Sequence, residues 1–215
     1  MTNTDPTIDT TSAAERAPYI NVQAVAGIRD DYQARLSEID ASTSLTKEGR
    51  DIEAATLYLE AQQQMAKHEA TYQAAVDTGR TTSARRLFGP TAADPATIMS
   101  HRDALQRADQ LDNPEAATTA LDRARFSNDE SMIRAITLRA AHKNWDDVLT
   151  DVERAAPGTA KKLAAHRAIP PTSGLQHNMF FGVRAPTQFV SRDGAVDTYK
   201  IRAAAAKARE AATLR

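Results

Sequence analysis

The chain has no cysteine. That excludes disulfides, thiolate zinc sites and thiol catalysis. It also lacks any apolar run near the ~18 residues that a membrane-crossing helix needs, so neither a transmembrane helix nor a membrane partner is expected. The opening residues, MTNTDPTIDTTSAAER, have no basic start and no apolar stretch, so no secretory signal is expected. Bulky apolar residues are scarce. Alanine accounts for 42 of the 215 residues, while Leu, Ile, Val and Phe together number 36. Such a chain cannot fill one thick core, because stabilisation by burial scales with apolar area at ~25 cal/mol per Å². It suits thin helix packing, or helices completed by a partner. The formal net charge of −1 is not the high-charge signature of full disorder.

Motifs that carry chemistry are absent too. There is no GxxxxGK[ST], GxSxG, HExxH or GxGxxG. His101-Arg102-Asp103 matches the kinase catalytic triplet in letters, but it sits in a helical pattern without the companion motifs. The five histidines (His68, His101, His142, His166 and His177) stand far apart in sequence. Asp147 and Asp151 lie one helical turn apart, and read as a solvated face rather than an ion site. Trp145 reads as a core anchor. No catalytic residue, metal ligand or cofactor is expected, and the chain reads as a non-enzyme.

What is present is helical patterning. Residues 1–17 are rich in Thr, Asp and Ser and read as a disordered arm. Residues 18–89 read as a long helical hairpin. Val25, Ile28, Tyr32, Leu36 and Ile39 recur in steps of three and four, one stripe of an amphipathic helix ending near Ala41. A second helix, capped by Thr46 and ended by Gly79, runs to about Asp77 with the stripe Ile52, Ala55, Leu59, Gln62, Met65, Glu69, Tyr72 and Val76. Polar Gln62 and Glu69 in this seam leave a hairpin and an intermolecular coiled coil both open.

Residues 90–171 read as a bundle of short helices near 95–111, 114–126, 129–143, 145–155 and 158–168. Asp94-Pro95 and Asn113-Pro114 are start signals, and Ser127 with Glu130 has the spacing of a capping box. Short connections make neighbouring helices antiparallel. Residues 172–215 change in texture. The stretch 172–190 holds three of the five Phe residues and reads as extended. Arg192-Asp193-Gly194 suits the turn of a small β-hairpin, and a basic helix follows at about 197–213. Residues 1–157 hold 17 Lys/Arg against 25 Asp/Glu, and residues 158–215 hold 10 against 3. An acidic body thus carries a basic tail, which suits docking to an acidic protein surface or folding back on the body. No specific nucleic-acid partner is expected, because no recognition motif or interleaved exposed aromatics accompany the basic residues.

Two stretches carry a resemblance. Residues 28–61, IRDDYQARLSEIDASTSLTKEGRDIEAATLYLEA, followed downstream by RRLFG at 85–89, are one. Residues 116–149, AATTALDRARFSNDESMIRAITLRAAHKNWDDVL, are the other. Together they resemble helical virion-structure and assembly proteins of phages and prophages of high-GC Gram-positive bacteria. The resemblance implies a structural or scaffolding role at the head or head–tail region, with other virion proteins or further copies of the chain as partners. It places the chain in the virion, or in the host cytoplasm during assembly. It attaches no catalytic residues. The alternative is a cytoplasmic helical adaptor binding proteins through the helix pairs of 95–168. The expected fold is all-α. The expected docking residues, on the extended segment, are Met179, Phe180, Phe181, Val183, Arg184 and Phe189, with the two adjacent phenylalanines as anchors.

Overall fold

A computed structural model describes residues 15–213. Among them the fold is all-α, with nine helices and no β-strand. These are α1 (Val22–Ala41), α2 (Lys47–Phe88), α3 (Pro95–Asp109), α4 (Pro114–Phe126), α5 (Glu130–Lys143), α6 (Asp146–Ala155), α7 (Thr159–Arg167), α8 (Leu175–Phe181) and α9 (Thr198–Thr213). The chain divides into two compact units. The first joins the chain up to Val76 to everything from Pro170 onward, and the second is Asp77–Ile169. This differs from the sequence reading in two ways. The boundary lies inside α2 rather than at residue 89, and the segment after 171 belongs to the first unit instead of standing apart.

α2 is longer than expected because Gly79 does not stop it. An interior glycine costs a helix roughly 0.5–1 kcal/mol relative to alanine. The turns beyond it are held by packing, since Leu87 and Phe88 are buried with Leu163 against Ala84, Leu138, Ala141 and Leu149. The helix ends where Pro90 follows Gly89, because the residue before a proline is pushed out of helical geometry. The Gly89 amide still donates to the Arg85 carbonyl at 2.9 Å. A Cβ on Gly89 would lie 2.5 Å from that carbonyl oxygen. Arg134 completes the end by donating to the carbonyls of Arg86 and Gly89 at 3.0 and 3.1 Å.

The second unit is a bundle in which α5 packs against α3, α4 and α6. Its core alternates small and large side chains, with Ala104, Ala108, Ala117, Ala124, Ala135 and Ala140 around Leu121, Met132, Ile136, Val148 and Val152. Asp94 and Asn113 cap α3 and α4 as read, accepting from the Thr97 and Ala116 amides at 3.0 and 2.8 Å. The third cap is a correction. Asp129, not Ser127, caps α5 by accepting from the Met132 amide at 2.9 Å. Ser127 instead closes α4, its hydroxyl donating to the Arg123 carbonyl at 3.0 Å. Trp145 is half-buried at the rim of the core rather than its anchor.

In the first unit α1 turns Val25 and Tyr32 fully inward, with Ile28, Leu36 and Ile39 half-buried on the same stripe. The facing part of α2 buries Ala54, Ala55, Leu57, Tyr58, Ala61, Met65, Tyr72 and Val76. Gln62 is exposed, and its amide donates to the Tyr58 hydroxyl at 2.8 Å, so it is no seam residue. The core is completed by Ala185, Phe189, Ile201 and Ala205 from the carboxyl-terminal segment.

Candidate functional site

The segment expected to be extended is partly helical, and it packs within its own chain. Gly174, at φ 99°, admits the turn that opens α8. Gly182 closes it, where a Cβ would lie 2.7 Å from the Asn178 carbonyl oxygen. Beyond it the chain runs on to a 3-10 turn at Thr187–Phe189. In place of a β-hairpin there is a single bridge, Val190 with Val196, closing a tight turn in which the Ser191 amide donates to the Ala195 carbonyl at 2.8 Å. α9 then starts on Asp197, whose carboxylate accepts from the Lys200 amide at 3.0 Å.

Four polar contacts fasten this strap to α1 and α2. The Arg29 guanidinium donates to the Phe180 carbonyl. The Tyr32 hydroxyl donates to the Arg184 carbonyl at 2.8 Å. The Tyr72 hydroxyl donates to the Pro171 carbonyl at 3.2 Å. His177 Nε2 lies 2.7 Å from Glu69 Oε1. Around them is a cluster of rings. Phe181 stands 4.9 Å from Phe180, 4.9 Å from His177 and 5.4 Å from Tyr72 between centroids. The buried Arg16 guanidinium lies over the rings of Tyr72 and Phe180 at 5.7 and 5.1 Å, in reach of a cation–π contact. Burial, with the neighbouring Tyr58 and Asp40, pushes the Tyr32 hydroxyl well above its ordinary pKa, so it remains a proton donor.

The expected docking residues therefore divide. Phe180, Phe181 and Phe189 are buried in their own chain, and Val183 is half-buried. The reading of the two adjacent phenylalanines as anchors for another chain is corrected: aromatic burial inside the unit uses them. Met179 is 61% exposed, and the Arg184 side chain is exposed while its carbonyl is engaged by Tyr32. Leu175, which sequence reasoning did not single out, is 77% exposed one turn before Met179. Arg16, read as part of a disordered arm, is buried; residues 1–14 of that arm lie outside the described residues. Glu69 was read as a polar seam position, and no local signal points to its partner 108 positions later.

Elsewhere in this unit a groove of 490 Å³ runs between the start of α2 and α9. Ile52, Phe189, Ala203 and Ala204 are among its lining, and Lys207 pairs with Glu48 across it. In the second unit Asp151 pairs with Arg154, and Glu153 accepts from the amides of Gly158 and Ala160 at 2.6 and 2.7 Å, which holds its carboxyl below the usual range. Among the described residues no three His, Asp or Glu side chains converge as a metal site would. No helix among them is long and apolar enough to cross a membrane. Compared with protein-family models, curated proteins and solved structures, the chain matches none.

Proposed function

We propose that the chain is a non-enzymatic structural or assembly protein of a phage particle, acting at the head or head–tail region by contacts between proteins. The resemblance of residues 28–61, 85–89 and 116–149 supports the setting. The observation that carries the mode of action is the outer face of α8. Leu175 and Met179 stand exposed one turn apart on a strap whose inner side is fully committed. Large apolar side chains presented together mark contacts, and a face held rigid by the ring cluster behind it loses little entropy on docking. The partner is a neighbouring virion protein. Mass spectrometry of particles purified from the phage or prophage that encodes the chain tests the reading: the protein is recovered from mature particles or from assembly intermediates. Leu175→Ser with Met179→Ser keeps the fold and lowers recovery. Absence from both, with the chain expressed, would refute the proposal. The adaptor reading keeps one observation in its favour, Phe126, 95% exposed at the end of α4. It predicts that Phe126→Ser abolishes capture of a host protein and leaves particles unaffected.

A further inference from the structure

The charge asymmetry of the sequence is only partly resolved within the first unit. Lys207 reaches Glu48, and Lys200 pairs locally with Asp197 at 2.9 Å. Arg202 and Arg209 of α9 are exposed and form no ion pair with a described residue. α9 turns Ile201 and Ala205 inward, with Ala204 and Ala208 half-buried beside them. One exposed flank of the helix carries Arg202, Ala206 and Arg209, in steps of four and three, below Tyr199 on the rim of the groove shared with α2. That spacing makes one row on a helix. Tyr199, at its head, is 82% exposed. Arg202 and Arg209 are seven residues apart, or about 10.5 Å along the axis at 1.5 Å per residue. The small side chain of Ala206 between them leaves room for close approach.

The same pitch recurs with the opposite sign on α2. Glu53 and Glu60 are exposed, also seven residues apart, and form no ion pair with a described residue. Thr56 lies between them, half-buried. Both rows face solvent in the same unit, so their complementarity is not used within one copy. We propose that α9 of one copy docks lengthwise on α2 of a second copy, setting Arg202 and Arg209 against Glu53 and Glu60 and covering Tyr199. The contact joins two different surfaces, so each copy offers both, and the product is a ring or an open filament. The inference deepens the assembly reading by naming the chain itself as a partner, and rests on that reading only for its biological setting. Exposed ion pairs are individually weak and screened by salt, so the contact is salt-sensitive and draws strength from repetition.

Sedimentation of the full chain tests it at low salt and at about 0.5 M, where screening leaves only a few Å of electrostatic reach. Self-association is expected at low salt and is largely lost at high salt. Arg202→Glu with Arg209→Glu, and separately Glu53→Arg with Glu60→Arg, each weaken it about tenfold or more, the sum of two modest pairs. Mixing the two double variants restores association between them, and the fourfold variant associates with itself. Circular dichroism melting confirms that each is folded; where a reversal variant has no transition, Arg202→Gln with Arg209→Gln carries the same test. A chain that stays monomeric at low salt, reversal variants that associate as the parent does, or folded variants that fail to complement would each overturn the proposal. So would duplex DNA binding that depends on Arg202 and Arg209 while self-association does not. Presence or absence in particles is decided separately by mass spectrometry, so the two readings fail independently.

Discussion

Phe181 touches three rings, and its replacement separates internal packing from external docking. Phe181→Ala is expected to cost about 3–5 kcal/mol, the range for a truncated core phenylalanine. Hydrogen exchange should show the loss in the first unit, while α3–α7 keep their protection. Unchanged protection around α1 and α2 would restore the docking role read from the sequence. Two histidines of the second unit carry a prediction about pH. Burial, reinforced by Arg134, pushes His101 below its ordinary value, and burial with Arg80 does the same to His166. The unfolded chain thus binds protons that the folded unit resists. Stability is full above pH 6.5 and falls as the pH drops below it. Melting between pH 7.5 and 5 should show the decline, and His101→Gln with His166→Gln should flatten it. At this scale the sequence was legible where one residue decides locally, as at Asp94 and Asn113. It was illegible for Glu69, Arg16 and His177, whose partners lie far away along the chain.

The elements were read well wherever a start signal was local, and misread wherever packing outweighed a propensity. The five short helices of the second unit were legible from start signals and short connections, with ends shifted by one or two residues, although only the Asp94 and Asn113 caps form as read. α2 was cut short because Gly79 is a stop signal by propensity alone, and only Leu87 and Phe88 against Leu163 justify its last turns. The two glycines should therefore respond in opposite ways. Gly79→Ala is expected to stabilise the chain by about 0.5–1 kcal/mol, as in any helix interior. Gly89→Ala sets a methyl group against the Arg85 carbonyl and should destabilise by about 1–3 kcal/mol, as overpacking does. Chemical denaturation of both variants decides it, and equal effects would mean that the end of α2 is not set at Gly89. α8 escaped sequence reading because its seven residues show no stripe long enough to recognise.

On the scale of the molecule, the scarcity of large aliphatic residues is met by small separate clusters rather than one thick core, the two larger of those, around Leu121 and Tyr58, being built with alanine. The sequence pointed to thin packing but not to which segments share a core. Composition shifts suggested that residues 172–215 stand apart, whereas Ala185, Phe189, Ile201 and Ala205 close the core begun by Tyr32, Ala55 and Tyr58. Deleting residues 170–215 should therefore abolish the cooperative transition of the first unit and leave that of Asp77–Ile169. Two surviving transitions in calorimetry of the truncated chain would show that α1 and α2 need no strap.

The first unit is discontinuous along the chain, and this sets an order of events during synthesis. Its opening helices leave the ribosome well before the residues that cover them. At roughly 5–20 residues per second, translating Asp77–Ile169 alone takes on the order of 5–20 s. Through that interval the nascent chain displays the inner face of Tyr32, Leu57 and Tyr58 while the later unit folds beside it. Any chaperone that handles this protein should be found on ribosomes carrying just that length of chain, and should leave once the last helix is released.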